Sequence, residues 1–244
     1  MHVLESSPPQ VEDIYKDGRY LEMNDGWHRE DSVWKASQIA EMLKSIDEPI
    51  GSIVDVGCGA GEVLTSLAKY DSVSDARMVG YDISPQAIEM SQQNPDFNID
   101  FRNEDALDAS NKEHFDVLLA IDVFEHVPDY LGFLEKCQKK ATYKIYHIPL
   151  DIHVSSVMRR NLDQPRRKLG HLHYFSTNSA KSTLEFSNHE ILNCTHTSGA
   201  LDLFWTHPSI KRAIGNVPRW LVSRFNKPLA ATLCGGFSLL VLTK

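Results

Sequence analysis

Three glycines at alternate positions, Gly57, Gly59 and Gly61, follow an apolar segment at residues 53–56 and constrain the fold more than any other feature. The apolar segment is typical of a buried parallel strand, and the apolar periodicity of residues 62–70 predicts a helix after the turn. Glycine lets a backbone approach a ligand closely, and the first N–H groups of a helix have no partner within it. The pattern therefore predicts a parallel α/β sheet with a nucleotide-sized site at its first turn.

The spacing of this turn distinguishes between two kinds of nucleotide. The dinucleotide pattern G-x-G-x-x-G would place its third glycine where the chain has Glu62. An acid such as Asp55 or Glu62 near the turn suits an ammonium group better than a phosphate. The turn resembles motif I of the class I S-adenosylmethionine (SAM)-dependent methyltransferases of the bacterial small-molecule type. That resemblance implies that Asp55 binds the amino-acid end of SAM. It also implies that the turn itself binds the cofactor, through Gly57, Cys58, Gly59 and Gly61.

An aspartate after the next expected strand matches the ribose part of such a site. Residues 77–81 predict the second strand, and Asp82 and Ile83 follow it. Ionised, Asp82 only accepts hydrogen bonds, so it suits the two hydroxyls of a ribose. The alternative role, capping the following helix, is already filled by Ser84 with Pro85 after it.

The third and fourth strands end in residues that resemble the family's other cofactor contacts. These strands are predicted at residues 98–101 and 114–121. The resemblance implies that the carboxylate of Asp105 accepts a hydrogen bond from the adenine amino group and that the N–H of Ala106 donates one to a ring nitrogen. It also places two residues beside the methyl group, Ile121 and Asp122.

The alternation of strands and helices between residues 50 and 148 predicts a Rossmann-like α/β fold. The resemblance extends this to a seven-stranded mixed sheet, order 3-2-1-4-5-7-6, with helices on both faces. Further strands are expected at residues 141–148, 190–196 and 236–242. We expect a single methyltransferase domain over residues 1–244. Its parts would be an N-terminal helical lid (1–50), a SAM-binding core (51–148), and an acceptor-side region (149–244) with a helical insertion (200–232).

The N-terminal part combines aromatic residues with an amphipathic pattern. Residues 33–43 predict a helix capped by Asp31 or Ser32. Similar segments with Trp-His and Trp-Lys-Ala cover the cofactor as a lid in many small-molecule methyltransferases, which implies that Trp27 binds SAM. For Trp34, the alternative is a helix that simply packs on the sheet edge.

Histidines are concentrated in the acceptor-side half. His171 and His173 would share one face of a strand, and together with His153 they could bind a metal. No further ligand at a fixed spacing accompanies them, so we expect no metal. Instead, one of His171, His173 and His147 is expected to act as general base or to orient the acceptor. His126 belongs to a Glu-His-Val segment that resembles the family's motif IV at the start of the next helix, and it is expected to shape the methyl site.

Charge and cysteine usage limit the classes of partner. The net charge of −8 argues against non-specific binding to nucleic acid. The four cysteines form no C-x-x-C pair and so predict neither a disulfide framework nor a zinc site. The chain has neither a secretory signal nor a run of about 20 apolar residues, so we expect a cytoplasmic protein.

The insertion at residues 200–232 mixes aromatic, aliphatic and basic residues. One interpretation is one or two amphipathic helices that close the substrate pocket. The other is a basic and aromatic surface, over residues 204–227, that touches a membrane or a lipid-linked substrate.

The motifs together predict an enzyme that moves the methyl group of SAM to an oxygen or nitrogen of a small-molecule acceptor, with O-methylation favoured. The cofactor carries the activated methyl group, so the protein would supply orientation, desolvation and a base for a hydroxyl acceptor. Family analogy extends the acceptors to sugars and lipid-linked molecules. Two alternatives stay open: a catalytically silent SAM-binding accessory protein, and an NAD-dependent oxidoreductase, against which Glu62 argues.

Overall fold

The computed structural model describes residues 29–93, 99–204 and 210–244. Within these residues, seven strands form one sheet: β1 Ser52–Val56, β2 Arg77–Tyr81, β3 Ile99–Arg102, β4 Phe115–Ile121, β5 Ala141–Pro149, β6 Ile191–Thr197 and β7 Ser238–Thr243. The helices of the first half are α1 Arg29–Leu43, α2 Glu62–Leu67, α3 Pro85–Ser91, a 3₁₀ turn at Phe124–His126, and α4 Tyr130–Lys140. Those of the second half are α5 Val154–Met158, α6 Gln164–Leu169, α7 Thr177–Phe186, α8 Gly199–Asp202, α9 Ile210–Phe225 and α10 Lys227–Cys234.

The strands lie in the order β3-β2-β1-β4-β5-β7-β6, which confirms the predicted topology. β1 pairs in parallel with β2 and β4, and β4 pairs in parallel with β5. β7 inserts antiparallel between β5 and β6. The carboxyl ends of the parallel strands therefore meet at one edge of the sheet, where ligands bind in folds of this type.

Both faces of the sheet are covered, as the nearly unbroken apolar runs of β1 and β4 predict. On one face, Val54 of β1 belongs to a core with Leu134 of α4 and Leu184 of α7. On the other, Ile53 belongs to a core with Ile39 of α1 and Leu64 of α2. Because successive side chains of a strand point to opposite faces, Asp55 lies on the same side as α1.

The start of α1 differs from the prediction. The helix already includes Asp31 and Ser32, so the cap predicted at one of these positions is wrong. Asp31 lies inside the helix, and its Oδ2 forms an ion pair with Lys35 Nζ one turn later, at 3.0 Å. The amphipathic helix itself is confirmed. Trp27 lies outside the described residues.

The Glu-His-Val segment also differs from the prediction, because it does not begin an α-helix. Phe124–His126 forms a 3₁₀ turn, and α4 starts only at Tyr130. Asp129 caps α4, since its carboxylate accepts a hydrogen bond from the N–H of Gly132 at 3.0 Å. The separate turn orients the side chains of residues 124–126 independently of α4.

The insertion after β6 is helical, as predicted, and α9 and α10 form most of its described part. α10 packs against α9 and also against α5, which follows β5. The two segments therefore form one cap beside the carboxyl end of β5. Among the described residues, no helix combines the length and the apolar character that are needed to cross a bilayer.

Candidate functional site

A cavity of about 770 Å³ lies at the carboxyl ends of the parallel strands. Most of the residues predicted from the sequence to bind cofactor or acceptor line it together. They are Asp55, Gly57, Cys58, Gly59, Asp82, Ile83, Asp105, Ala106, Ile121, Asp122, His147 and His171. Gly61 and His173 are not part of the lining, and Trp27 lies outside the described residues.

The glycine turn is built by left-handed backbone conformations that only glycine adopts readily. Gly57 and Gly61 both have a φ of 77°. The N–H of Gly57 donates to the carbonyl of Tyr81 at 2.8 Å, which ties the turn to the end of β2. Gly61 faces away from the cavity, because a Cβ at this position would lie 2.4 Å from Cζ of Phe101. Packing against Phe101 therefore requires glycine at this position, and the contact of Gly61 with a cofactor stays a prediction.

Asp55 is a buried carboxylate, and one of its two oxygens has no hydrogen-bond partner among the described residues. Its side chain lines the cavity, the residue is 2% exposed, and Oδ1 accepts no hydrogen bond from the described residues. Burial, together with the charge of Asp82, raises the pKa of Asp55 to about 7. A carboxylate in such a place is strongly stabilised by a cation in the cavity.

Asp82 fixes the glycine turn as well as facing the cavity. Its Oδ2 accepts from the N–H of Gly59 at 2.9 Å, and its Oδ1 accepts from the N–H of Ser84 at 2.8 Å. Burial raises the pKa of Asp82, although these two donors oppose the shift. Each carboxylate oxygen keeps a further lone pair for a ligand hydroxyl. The predicted cap is also present, since Ser84 Oγ accepts from the N–H of Ala87 at 3.3 Å.

The side of the cavity next to β3 is formed by Asp105 and Ala106. Asp105 Oδ1 accepts from the N–H of Leu107 at 2.8 Å, which shapes the loop, and Ala106 is buried. Cys58 lies across the turn, where burial raises the pKa of its thiol. The thiol therefore stays protonated, as expected for a packing residue rather than a nucleophile.

An ion-pair network that the sequence did not predict joins α1 to the centre of the cavity. Lys35 Nζ lies 2.9 Å from Asp122 Oδ2, and His147 Nδ1 donates to Asp122 Oδ1 at 2.6 Å. Thr197 Oγ1 lies 3.0 Å from His147 Nε2. Burial opposes ionisation of Asp122, but the charges of His147 and Lys35 outweigh it and hold the pKa of Asp122 below its usual value.

The network leaves His147 with both ring nitrogens bonded inside the protein. Asp122 has a φ of 56°, a left-handed conformation that a non-glycine residue rarely adopts without a functional reason. Its backbone N–H donates to the carbonyl of His147 at 3.0 Å. His147 therefore orients Asp122, and the predicted role of His147 as a base has little geometric support.

His171 forms a second pair, with Asp151. Its Nδ1 donates to Asp151 Oδ2 at 2.7 Å, and both residues line the cavity. This hydrogen bond fixes the tautomer and leaves Nε2 as an acceptor toward the cavity. Asp151 was not among the predicted site residues, but it lies just beyond β5, where the carboxyl-end rule could have found it.

The other histidines of this region lie elsewhere. His173 Nε2 donates to the carbonyl of Val127 at 3.0 Å, and its ring lies 4.4 Å from that of Tyr130. His153 caps α5, where its Nδ1 accepts from the N–H of Ser156 at 3.1 Å. The structure therefore does not bring His171, His173 and His153 together, because His171 and His173 lie in a loop rather than on one face of a strand.

Glu125 and His126 of the 3₁₀ turn lie next to His171. The Glu125 side chain is fully buried, and neither of its oxygens has a hydrogen-bond partner among the described residues. Burial, reinforced by the charge of Asp122, raises the pKa of Glu125. The His126 ring stands perpendicular to the His171 ring at 5.0 Å, and its Nδ1 lies 3.2 Å from the carbonyl oxygen of Gly170.

Comparisons with known proteins agree with this geometry. Ubiquinone biosynthesis O-methyltransferase of Cereibacter sphaeroides (strain ATCC 17025) is 33% identical over 113 residues, 45% of this chain and 42% of the relative. The enzyme of the same name from Rhodopseudomonas palustris (strain TIE-1) is 32% identical over 112 residues, 45% of this chain and 40% of the relative. The matches thus span about two fifths of the length of these relatives.

A solved structure extends the likeness to nearly the whole chain. Magnesium protoporphyrin IX methyltransferase from Synechocystis PCC 6803, with bound SAM, superposes with a TM-score of 0.60. The match covers 98% of this chain and 99% of that one at 14% identity, which shows a shared fold. The sequence model of the methyltransferase domain family matches residues 27–193. Since this match covers more than half of the sequence, the chain belongs to the methyltransferase domain family.

Proposed function

We propose that the chain is a SAM-dependent methyltransferase that acts on a hydroxyl group of a small molecule. The observation that carries the proposal is the row of aspartates around one cavity, in which Oδ1 of buried Asp55 has no hydrogen-bond partner within the described part of the chain. A cavity that ends in such a carboxylate suits a ligand with an ammonium group. The amino-acid end of SAM supplies that group, whereas the pyrophosphate of NAD would bring negative charge.

The other cofactor contacts follow the order of the strands. Asp55, near the carboxyl end of β1, would hold the ammonium group. Asp82 would accept from the ribose hydroxyls, and Asp105 with Ala106 would bind adenine. Ile121 and Asp122 would lie nearest the methyl group. Bound SAM supplies a methyl group on a sulfonium, an electrophile that needs no further activation by the protein.

The acceptor would lie on the β5 side of the cavity, against His171. The Asp151 carboxylate holds the proton on Nδ1 of His171, so Nε2 can accept the proton of a hydroxyl acceptor. An acceptor oxygen gains more from such a base than a neutral amine, which is already nucleophilic. The names of the curated relatives, which are O-methyltransferases, support the same choice.

An acceptor screen tests the choice of oxygen. The wild-type protein would be incubated with SAM and separate pools of phenols, sugars, lipid-linked alcohols and amines, and release of S-adenosylhomocysteine would be measured. We expect turnover in at least one hydroxyl pool and loss of that turnover in His171→Ala. Turnover with amines alone, unaffected by His171→Ala, would contradict the proposal.

The acceptor side also carries a surface that suits a membrane. Residues 154–169 and 213–234 together contain eight of the 25 Lys and Arg residues but one of the 33 Asp and Glu residues. The same segments hold 11 of the 16 exposed large apolar side chains among the described residues. We call this the basic–apolar surface. Its most exposed apolar members are Met158, Ile214, Val217, Trp220 and Phe225.

We infer that the basic–apolar surface docks on an anionic lipid surface. The rest of the chain is acidic, so this local excess of positive charge is complementary to anionic headgroups, and exposed aromatic side chains insert at the headgroup level. Phe225, at 90% exposure, would otherwise present its whole ring to water. The basic–apolar surface adjoins the cavity, since two residues just after α10, Gly236 and Phe237, line the cavity. A lipid-linked acceptor could thus reach His171 from the membrane.

A further inference from the structure

We propose that Glu125, His126 and His171 bind a divalent metal ion at the acceptor end of the cavity. One possible ligand atom from each of the three side chains lies within 4.8 Å of the other two. The proposal deepens the proposed function, because it names what holds the acceptor oxygen. It also replaces the expectation, drawn from histidine spacing alone, that the chain binds no metal.

The first argument is the state of the Glu125 carboxylate. It is fully buried and neither oxygen has a hydrogen-bond partner in the described part of the chain, although its nearest oxygen lies 3.9 Å from His126 Nε2. A buried carboxylate is normally paired, hydrogen-bonded or bound to a metal. Glu125 is held in this place by its backbone, whose carbonyl accepts from the N–H groups of Leu172 at 2.8 Å and His173 at 3.1 Å.

The second argument is that both histidines are oriented from behind. His171 Nδ1 donates to Asp151 Oδ2 at 2.7 Å, and His126 Nδ1 lies 3.2 Å from the carbonyl oxygen of Gly170. Histidines that bind metals almost always donate their other ring N–H to a carboxylate or a backbone carbonyl in this way. Both arrangements direct Nε2 toward the same space beside Glu125.

The third argument is the way the site opens. His126 and His171 line the cavity, whereas Glu125 lies behind them and is not part of the lining. Three protein ligands of the type His₂Glu leave at least one coordination position for a water or a substrate oxygen. Bond lengths of about 2.0–2.2 Å would place tetrahedral ligand atoms about 3.4 Å apart, so small side-chain rotations would close the site.

Two imidazoles and one carboxylate favour zinc or a similar first-row ion over magnesium, which prefers oxygen ligands. In the open position, the ion would bind the acceptor oxygen and lower its pKa, as it does for bound water. The proton of the hydroxyl would then pass to solvent, because His171 Nε2 is occupied by the ion. Without the ion, the same Nε2 accepts that proton.

The test measures metal binding directly. Full-length protein, stripped with a chelator, would be titrated with Zn²⁺ and Mg²⁺ by calorimetry and with Co²⁺ by visible absorption. We expect one equivalent of Zn²⁺, no comparable binding of Mg²⁺, and tetrahedral Co²⁺ bands without thiolate charge transfer, which would indicate the free cysteines. Glu125→Gln and His126→Ala should each weaken Zn²⁺ at least about 100-fold, and Asp151→Asn about 10–100-fold.

The control variant is His114→Ala, which removes an exposed histidine just before β4. It should bind Zn²⁺ like the wild type. Each variant is compared only if it unfolds cooperatively. If either Glu125→Gln or His126→Ala fails to fold, the other variant still tests the proposal. Absence of Zn²⁺ binding, or equal affinity of wild type and these two variants, would overturn the proposal. SAM titration of the same samples keeps it separate from the proposed function, since each site can bind without the other.

Discussion

At the scale of single residues, the state of Asp55 links stability to ligand binding. Its pKa of about 7, caused first by burial and then by Asp82, lies well above its ordinary value of 3.8. Between these two pH values the folded protein keeps a proton that the unfolded chain has released. The free energy of unfolding due to this group therefore falls as the pH rises from about 4 to 7. Ionised Asp55 destabilises the ligand-free protein above that range, by at most about 4 kcal/mol.

Replacing the ionisable group should reverse this effect. We expect Asp55→Asn to raise the Tm of the ligand-free protein at pH 8 by at least about 2 °C, with a smaller gain at pH 5. The same variant should bind SAM at least about 10-fold more weakly, because it loses the charge that faces the ammonium group. Thermal unfolding at both pH values and calorimetry measure the two effects.

A matched aspartate provides the control. Asp116 Oδ2 accepts hydrogen bonds from the N–H of Gly51 and the hydroxyl of Ser52, both at 2.9 Å, at the opposite end of the sheet. Asp116→Asn should lower the Tm and leave SAM affinity unchanged. If Asp55→Asn lowers the Tm at pH 8 as Asp116→Asn does, the account of Asp55 is incorrect.

His171 is the residue on which acceptor chemistry depends. We expect His171→Ala to lower kcat about 10²–10⁴-fold with little change in SAM affinity. The variant lacks the base that accepts the proton of the acceptor hydroxyl or, if the metal ion is bound, one of the ligands of that ion. His173→Ala should lose much less, since its Nε2 bonds to the Val127 carbonyl outside the cavity. Steady-state kinetics with an identified acceptor compare the two. A larger loss of kcat in His173→Ala than in His171→Ala would show that the assignment of His171 as the essential histidine is wrong.

Site residues that directly follow a strand could be predicted, and residues paired across the chain could not. Asp82 was found because it follows the apolar run of β2, and Asp122 because the segment after β4 resembles a motif of the family. The pairing of Asp122 with Lys35 depends on how α1 packs over the sheet. No spacing in the sequence encodes that contact.

At the scale of elements, α1 is attached to the cavity by Lys35, whose side chain is 11% exposed. Lys35 Nζ lies between the carboxylates of Asp31, at 3.0 Å, and Asp122, at 2.9 Å. Burial would lower the pKa of Lys35, but the charges of Asp122 and Asp31 outweigh it and raise that pKa. The helix can therefore not shift without exposing or unpairing these charges.

Removing this lysine should loosen α1. We expect Lys35→Met to lower the free energy of unfolding by about 3 kcal/mol, because Asp122 loses a buried partner. Adding Asp122→Asn should recover part of the loss. Because the pKa of Asp122 is lowered in the folded state, its contribution is present above about pH 4 and is lost as the pH falls further. The difference between wild type and Lys35→Met should shrink accordingly.

Urea unfolding at pH 7 and at about pH 3 measures this prediction. Lys44→Met is the control, since Lys44, just after the end of α1, is exposed and its one ion pair among the described residues is with exposed Glu41. Its effect should stay below about 1 kcal/mol. Equal effects of the two substitutions would show that Lys35 does not anchor α1.

α9 contributes the most exposed apolar side chain of the basic–apolar surface. We expect the protein to sediment with vesicles that contain about 30% phosphatidylglycerol and less with pure phosphatidylcholine, with binding reduced by salt. The double variant Trp220→Ser/Phe225→Ser should bind at least about 10-fold more weakly.

Phe186→Ser is the matched control, because Phe186 is 78% exposed on α7, outside the basic–apolar surface. It should bind vesicles like the wild type. If the wild type does not sediment with anionic vesicles, the basic–apolar surface binds another partner and not a membrane. One or two amphipathic helices in the insertion at residues 200–232 could be predicted from the sequence, whereas the exposure of α9 depends on which of its faces α10 covers.

At the scale of the whole molecule, strands such as β1 and β4 could be located because each is a nearly continuous apolar run between turn residues, whereas the order of the strands in the sheet was an implication of the family resemblance. The position of β7 between β5 and β6 came only from the family resemblance, since nothing local in its sequence specifies its neighbours. The structure confirms both. The cavity follows from this topology, since it gathers the loops after β1, β2, β4 and β5 at one edge.

The most direct test of the central claim is the binding of SAM, S-adenosylhomocysteine and NADH by calorimetry to the wild type and to Asp82→Ala. The account predicts micromolar binding of SAM and S-adenosylhomocysteine, no binding of NADH, and about 10–100-fold weaker SAM binding in a folded Asp82→Ala variant. Wild-type protein that binds NADH but not SAM, or an Asp82→Ala variant with unchanged SAM affinity, would contradict it.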